Sequence, residues 1–175
     1  VRGLWRKGAV LALVLAGLSP AAADEAPAVA VFDFELYDTS LEGEMRGPDP
    51  AEDDRLLMIT DLVREAYRAR DAVLVDTAAL REKLSTSPRL YTCRGCETAY
   101  AEDLGADLAV TGFVQKISTL ILSLNITVRD VDSGEIVERL SASLRGNTDD
   151  SWAHGANYLI RNELFADGTA DASGG

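Results

Sequence analysis

Two cysteines separated by two residues, Cys93 and Cys96 in the segment CRGCE, are the side chains here best suited by type and spacing to do chemistry. They are the only cysteines in the chain. A thiolate at Cys93, beside Arg94 and close to a helix start, would have a lowered pKa, with Cys96 placed to resolve a mixed disulfide. Glu97, Glu102 and Asp103 oppose that role with negative charge. In an oxidising compartment the pair instead closes a short loop, a staple contributing about 2 kcal/mol by chain entropy. A structural metal wants four protein ligands, and His154, the only histidine, would have to approach both sulfurs. Glu97, not histidine, follows the second cysteine, so the haem-attachment pattern is absent. The expectation is a structural disulfide with no metal and no cofactor, and thiol-disulfide exchange stays open as the alternative.

RGNTDDSW, residues 145–152, is the second candidate. Asn147 suits a turn, Thr148 or Asp149 a helix cap and Trp152 a core anchor, which accounts for nearly every residue. A binding role would place Arg145, Asn147, Asp149 and His154 around a pocket at a strand end. A third candidate is the wet face of two strands, which carries Ser123, Asn125, Thr127 and Arg129 opposite Arg139, Ser141, Ser143 and Arg145. That face is locally basic and suited to an anionic partner, although a solvated face is the ordinary and preferred explanation. Arg94, Glu97, Arg129, Arg139, Arg145, Asn147, Asp149, Trp152 and His154 are the candidate partner or ligand site. One histidine makes a Ser-His-Asp triad improbable, and neither GxxxxGKS/T nor GxGxxG occurs. No enzymatic constellation beyond the cysteine pair survives.

The compartment follows from the first 23 residues. Arg2, Arg6 and Lys7 precede an apolar run over residues 9–18, and Ser19-Pro20 leads to three alanines. This is the order of a cleavable secretory signal, and the run is well short of the roughly 20 residues a spanning helix needs. Its removal after Ala23 leaves 14 basic against 29 acidic residues and moves the net charge from -12 to -15. So acidic a surface repels phosphate backbones and anionic lipid, which disfavours nucleic-acid and membrane-surface partners. The expected destination is the periplasm, with another periplasmic protein as partner and no stable membrane insertion.

The elements that position these residues can be read in order. Residues 28–35 (AVAVFDFE) predict a buried strand, and residues 36–49 a surface loop. Asp49 and Pro50 open an amphipathic helix running to about Arg70, with Leu56, Ile59, Leu62, Val63, Ala66 and Tyr67 on its apolar face. AVLV at 72–75 reads as a strand, and Asp76 caps a helix over TAALREKL. Residues 97–104 form a short helix stopped by Gly105, and residues 107–114 a strand covered on both faces. In TLILSLNITVRDV, Leu120, Leu122, Leu124, Ile126 and Val128 alternate inward. A turn at Asp132-Ser133-Gly134 returns a strand with Ile136, Leu140, Ala142 and Leu144 inward. A last helix carries Trp152, Ala156, Leu159, Ile160 and Leu164 to the sheet. The fold class is α/β, with a two- or three-layer mixed sheet of about five strands, a parallel half followed by an antiparallel meander. Residues 24–165 form the single domain and 166–175 a disordered tail.

This order of elements resembles the TolB N-terminal-domain-like fold, also the arrangement of the curli-secretion protein CsgG. The carriers are AVAVFDF, GADLAVTGFVQK, RDVDSGEIV and the closing helix. The chain also resembles an uncharacterised family of secreted bacterial proteins, through CRGCE at 93–97, GAD at 105–107 and RGNTDDSW at 145–152. That resemblance brings no established chemistry and implies, as an alternative, an accessory factor of a periplasmic quinoprotein or cytochrome oxidation system; the residues themselves lead to the expectation of a non-enzymatic binding or assembly module.

Overall fold

The computed structural model describes residues 26–165; the expected signal segment and the expected tail lie outside them. Six strands form one mixed sheet: β1 (Ala28–Val31), β2 (Glu35–Asp38), β3 (Val73–Leu74), β4 (Leu108–Ser118), β5 (Ile121–Asp130) and β6 (Ile136–Leu144). Their order is β3-β1-β4-β5-β6, and β2 also pairs with β4. Pairing is parallel for β1–β3, β1–β4 and β2–β4 and antiparallel through β4–β5–β6. The expected mixed α/β architecture is therefore present.

The expected first strand is broken in two. β1 pairs with residues 108–110 of β4, the chain steps out at Phe32-Asp33-Phe34, and β2 resumes against residues 113–116 of the same strand. The step is possible because Gly112 lets the Phe34 ring lie on the β4 backbone, where a Cβ would come within 2.5 Å of that ring. The Phe34 N–H, lost from the ladder, donates to Thr60 Oγ1 at 3.0 Å.

Helices cover the two faces unequally. α2 (Pro50–Arg68) and α5 (Asp149–Asn162) pack on one face over Val110, Val114, Leu122, Leu124, Ile126 and Val128. Asp49 caps α2 by accepting from the Ala51 N–H, and Thr148 caps α5 by accepting from the Ser151 N–H. On the other face α4 (Cys96–Asp103) and its preceding turn seal a smaller core of Ala30, Phe32, Leu90, Ala101, Ala106 and Ala109. This second layer covers only the parallel half, so the molecule has three layers there and two across the meander.

Four local expectations are corrected. The 36–49 segment holds the end of β2 and a short helix, α1 (Leu41–Arg46), capped by Ser40, which accepts from the Gly43 N–H. Its apolar residues Leu41 and Met45 stay exposed, so no buried stripe announced it. TAALREKL is divided into a 3-10 turn (Thr77–Leu80) and a single-turn α3 (Arg81–Ser85). Leu120 is not inward but 77% exposed, because it lies in the turn between Ser118 and Ile121 and not in β5. Ile136 is exposed as well, since a bulge between Val128 and Arg129 shifts the register at the start of β6.

Candidate functional site

Cys93 and Cys96 are joined by a disulfide, with sulfurs 2.08 Å and Cα atoms 5.5 Å apart. The turn between them runs through two left-handed residues, Arg94 (φ 54°) and Gly95 (φ 116°), which lets Cys96 begin α4. Arg94 points to solvent. Glu97 does not: it is 3% exposed, and its Oε1 accepts from Arg129 Nε at 2.7 Å. Arg129 also donates from Nη1 to the Gly134 carbonyl at 2.6 Å, and its guanidinium lies beneath Gly95. The knuckle is therefore buckled onto the β5–β6 turn by one buried ion pair. Glu97 Oε2 sits 3.7 Å from the Cys93 sulfur, so a reduced Cys93 would meet a buried carboxylate. Such a neighbour disfavours the thiolate that exchange chemistry requires. Cys93, Cys96 and Glu97 are the one group among the described residues spaced to hold an ion, and the disulfide occupies both sulfurs. His154 belongs to α5, on the opposite face of the sheet.

The RGNTDDSW residues converge on a different cluster. Asn147 Oδ1 accepts from Trp152 Nε1 at 3.1 Å and from Arg55 Nη1 at 3.3 Å, while its amide donates to Glu52 Oε1 at 2.5 Å. Trp152 is fully buried, and Asp149 pairs with Arg55 at 2.7 Å. Beneath Asn147, Glu52 and Lys116 form an ion pair of 2.6 Å, both almost wholly buried, and Lys116 reaches Asp38 at 3.1 Å. Burial pulls the Lys116 ammonium down, but its bonds to Glu52 and Asp38 outweigh it and hold the group above its ordinary value. Burial likewise raises Asp38, and the bonds from Ser40 and Lys116 bring it below the usual carboxylate value. This network ties β2, α2, β4 and the β6–α5 connection together. Sequence reasoning missed Glu52, Lys116 and Asp38, although Lys116 continues the inward alternation Gly112, Val114 and so was due to be buried.

Arg139, Arg145 and His154 are exposed. Arg139 lies on the open face of the meander with Asn125, Thr127 and Ser141, and Ser141 donates to Asn125 at 3.0 Å. Arg145 and His154 line a groove of about 870 Å³ between β6 and α5. On the open face Tyr91 stacks on Tyr37 and on Phe113, each pair with centroids 5.3 Å apart. Burial raises the pKa of Glu35, next to this stack, against the lowering effect of the Tyr91 N–H and Arg89. Farther along, the same end of the sheet exposes Ile117, Leu120 and Ile121, with Leu41 and Met45 on neighbouring α1.

In doubly wound sheets ligands settle outside the carboxyl ends of the parallel strands, where successive connections leave on opposite faces. Here that place falls beyond β1, beside β4, and β2 with Phe34 narrows it. The neighbouring carboxyl-end residue Asp33 is bonded by Arg64 at 2.7 Å, which also donates to the Val31 carbonyl. Beside it a small cleft of about 220 Å³ remains, lined by Asp33, Phe34, Glu35, Thr77, Arg81 and Arg89.

The chain belongs to the family described as "Protein of unknown function (DUF2380)", whose model matches residues 27–164. No curated protein matches it in sequence. Among solved structures it is similar to the lipoprotein GNA1162 from Neisseria meningitidis, at 15% identity and a TM-score of 0.50 over 79% of this chain and 99% of that one. The LpoB C-terminal domain from Salmonella enterica shares 16% identity over 68% of this chain and 82% of that one, with a TM-score of 0.48. TolB from Acinetobacter baumannii shares 11% over 78% and 28% respectively, with a TM-score of 0.39. Among the described residues no helix is long and apolar enough to cross a membrane.

Proposed function

We propose that this protein is a non-enzymatic binding or assembly module of the periplasm, docking another protein through the open face of its meander. The observation that carries the reading is the contrast between two places. The place where this class of sheet would hold a small substrate is narrowed by the chain's own β2 to a cleft of about 220 Å³, whereas the meander face is uncovered. That face ends in Ile117, Leu120 and Ile121, each more than half exposed. Apolar anchors rimmed by polar groups are the composition of a protein interface. The disulfide and the signal-like N-terminus support the compartment. An accessory role beside a periplasmic quinoprotein or cytochrome oxidation system is the narrower form of the same idea, and a haem- or quinone-bearing partner would identify it.

Affinity capture from periplasmic extract is the test, comparing the native protein with Ile117→Asp/Leu120→Asp and with Arg139→Glu. Retention of a specific partner should fall by at least tenfold in the double variant with the thermal midpoint unchanged. Equal retention by all three proteins would remove the open face from the function. Thiol-disulfide exchange is the second reading, favoured by Cys93 preceding the start of α4. A reduction potential below about -300 mV would exclude it, whereas isolation of a mixed disulfide on Cys93 would establish it.

A further inference from the structure

β6 stands at the end of the strand order, so among the described residues its outer edge has no neighbouring strand. A nine-residue edge presents a row of backbone donors and acceptors that another strand can complete. Proteins that remain monomeric usually blunt such an edge with proline, inward charge or a covering segment. β6 contains no proline, its inward charge Glu138 and its bulge lie in its first half, its second half carries Ser141-Ala142-Ser143, and α5 leaves an open groove alongside rather than covering it.

The outward stripe of α5 indicates what completes the edge. Asp150, His154, Tyr158 and Arg161 recur at helical spacing, all four exposed, and the first three line the groove with Ser141–Ser143. The acid is in the first turn and the base in the last. Among the described residues neither has an oppositely charged partner in its own chain; Arg161 donates only to the Asn157 carbonyl. A stripe that is acidic at one end and basic at the other is complementary to itself when reversed.

We propose that a second copy of this chain docks here, as an isologous dimer about a two-fold axis passing beside Ser141–Ser143. The two β6 edges run antiparallel to each other, so the two sheets become one. The α5 helices then lie antiparallel above the junction, and Asp150 of each copy meets Arg161 of the other. Both charge contacts come from one axis, as a closed two-fold interface requires. Tyr158, 46% exposed in the single chain, becomes the apolar contact between them. This face is separate from the Ile117–Leu120 end, so a dimer would leave the proposed partner surface free.

Sedimentation velocity across a concentration series tests the arrangement on the purified native protein, with thermal unfolding as the control for folding. A reversible dimer is expected. Asp150→Arg and Arg161→Asp should each weaken it about tenfold, since one change alters two contacts and sets like charges together. The combined Asp150→Arg/Arg161→Asp protein should return to within about threefold of native affinity, because the swapped charges meet again. Should Asp150→Arg fail to fold, Tyr158→Glu replaces it and is expected to give monomer. Amide exchange should slow across residues 137–144 on dimerisation. A protein that is monomeric at every concentration overturns the proposal, as does a double variant no stronger than the single ones. A monomer whose β6 amides are protected only by an added extended peptide overturns it too, in favour of a strand-donating partner.

Discussion

Glu97 and Arg129 show how much a single pair can organise. Glu97 lies in the first turn of α4 and is almost fully buried, and its one charged partner, Arg129, comes from β5. Removing one member of a buried pair leaves the other charge uncompensated, at a cost of about 3–5 kcal/mol. Glu97→Ala is accordingly expected to lower urea-unfolding stability by about 3 kcal/mol, near the smaller end because Arg129 retains the Gly134 carbonyl. Glu35 presents the opposite case. Burial raises its folded pKa above the ordinary 4.5, so its contribution is fully present below that value and is lost as pH rises through the raised one. Glu35→Gln removes this titration. Its stability relative to the native protein should therefore improve between pH 4 and pH 7, as measured by denaturant unfolding at each pH. No such gain would mean that Arg89 and the Tyr91 N–H fully offset the burial.

At the level of elements, the broken strand depends on one close approach. Gly112→Ala puts a methyl group into the Phe34 ring, and both positions are buried. Overpacking of this kind costs about 1–3 kcal/mol, and the thermal midpoint should fall by several degrees. An unchanged midpoint would show that Phe34 can leave the β4 backbone freely. The same strand marks the limit of what could be read beforehand. The α2 and α5 caps, the Gly105 stop and the alternation of β5 were legible because each depends on neighbours within a few residues. The break after Val31 was not, since AVAVFDFE reads as one compact apolar strand and only the fit against Gly112 divides it. The candidate residues behaved likewise. Trp152 and the caps in RGNTDDSW reveal themselves locally, whereas the Glu52–Lys116–Asn147 network joins segments far apart in sequence. The exposure of Ile136 arises from a bulge, a register choice between strands that neither strand's pattern encodes.

Across the whole molecule, the contacts divide into near and far. β4, β5 and β6 follow one another through short turns, while β1, β2 and β3 join β4 only after long stretches of chain. Loop closure over a long separation is slower to be rewarded, so the meander is expected to be formed in the folding transition state and the parallel half to dock after it. Ile126→Ala should mainly slow refolding, and Val29→Ala should mainly speed unfolding, as read from the two arms of a chevron. The reverse pattern would place the nucleus in the parallel half.

The position of β2 therefore has a temporal meaning as well as a spatial one. Between Val31 and Glu35 the chain has only three residues in which to step over Phe34 and rejoin β4. Once β1 has docked, β2 is tethered at a very high local concentration, so its annealing is effectively intramolecular and fast. A short-lived species in which β1 is seated and β2 is still loose would present the bare edge of β4 beyond Gly112. That brief exposure is the step at which a chaperone would have something to hold.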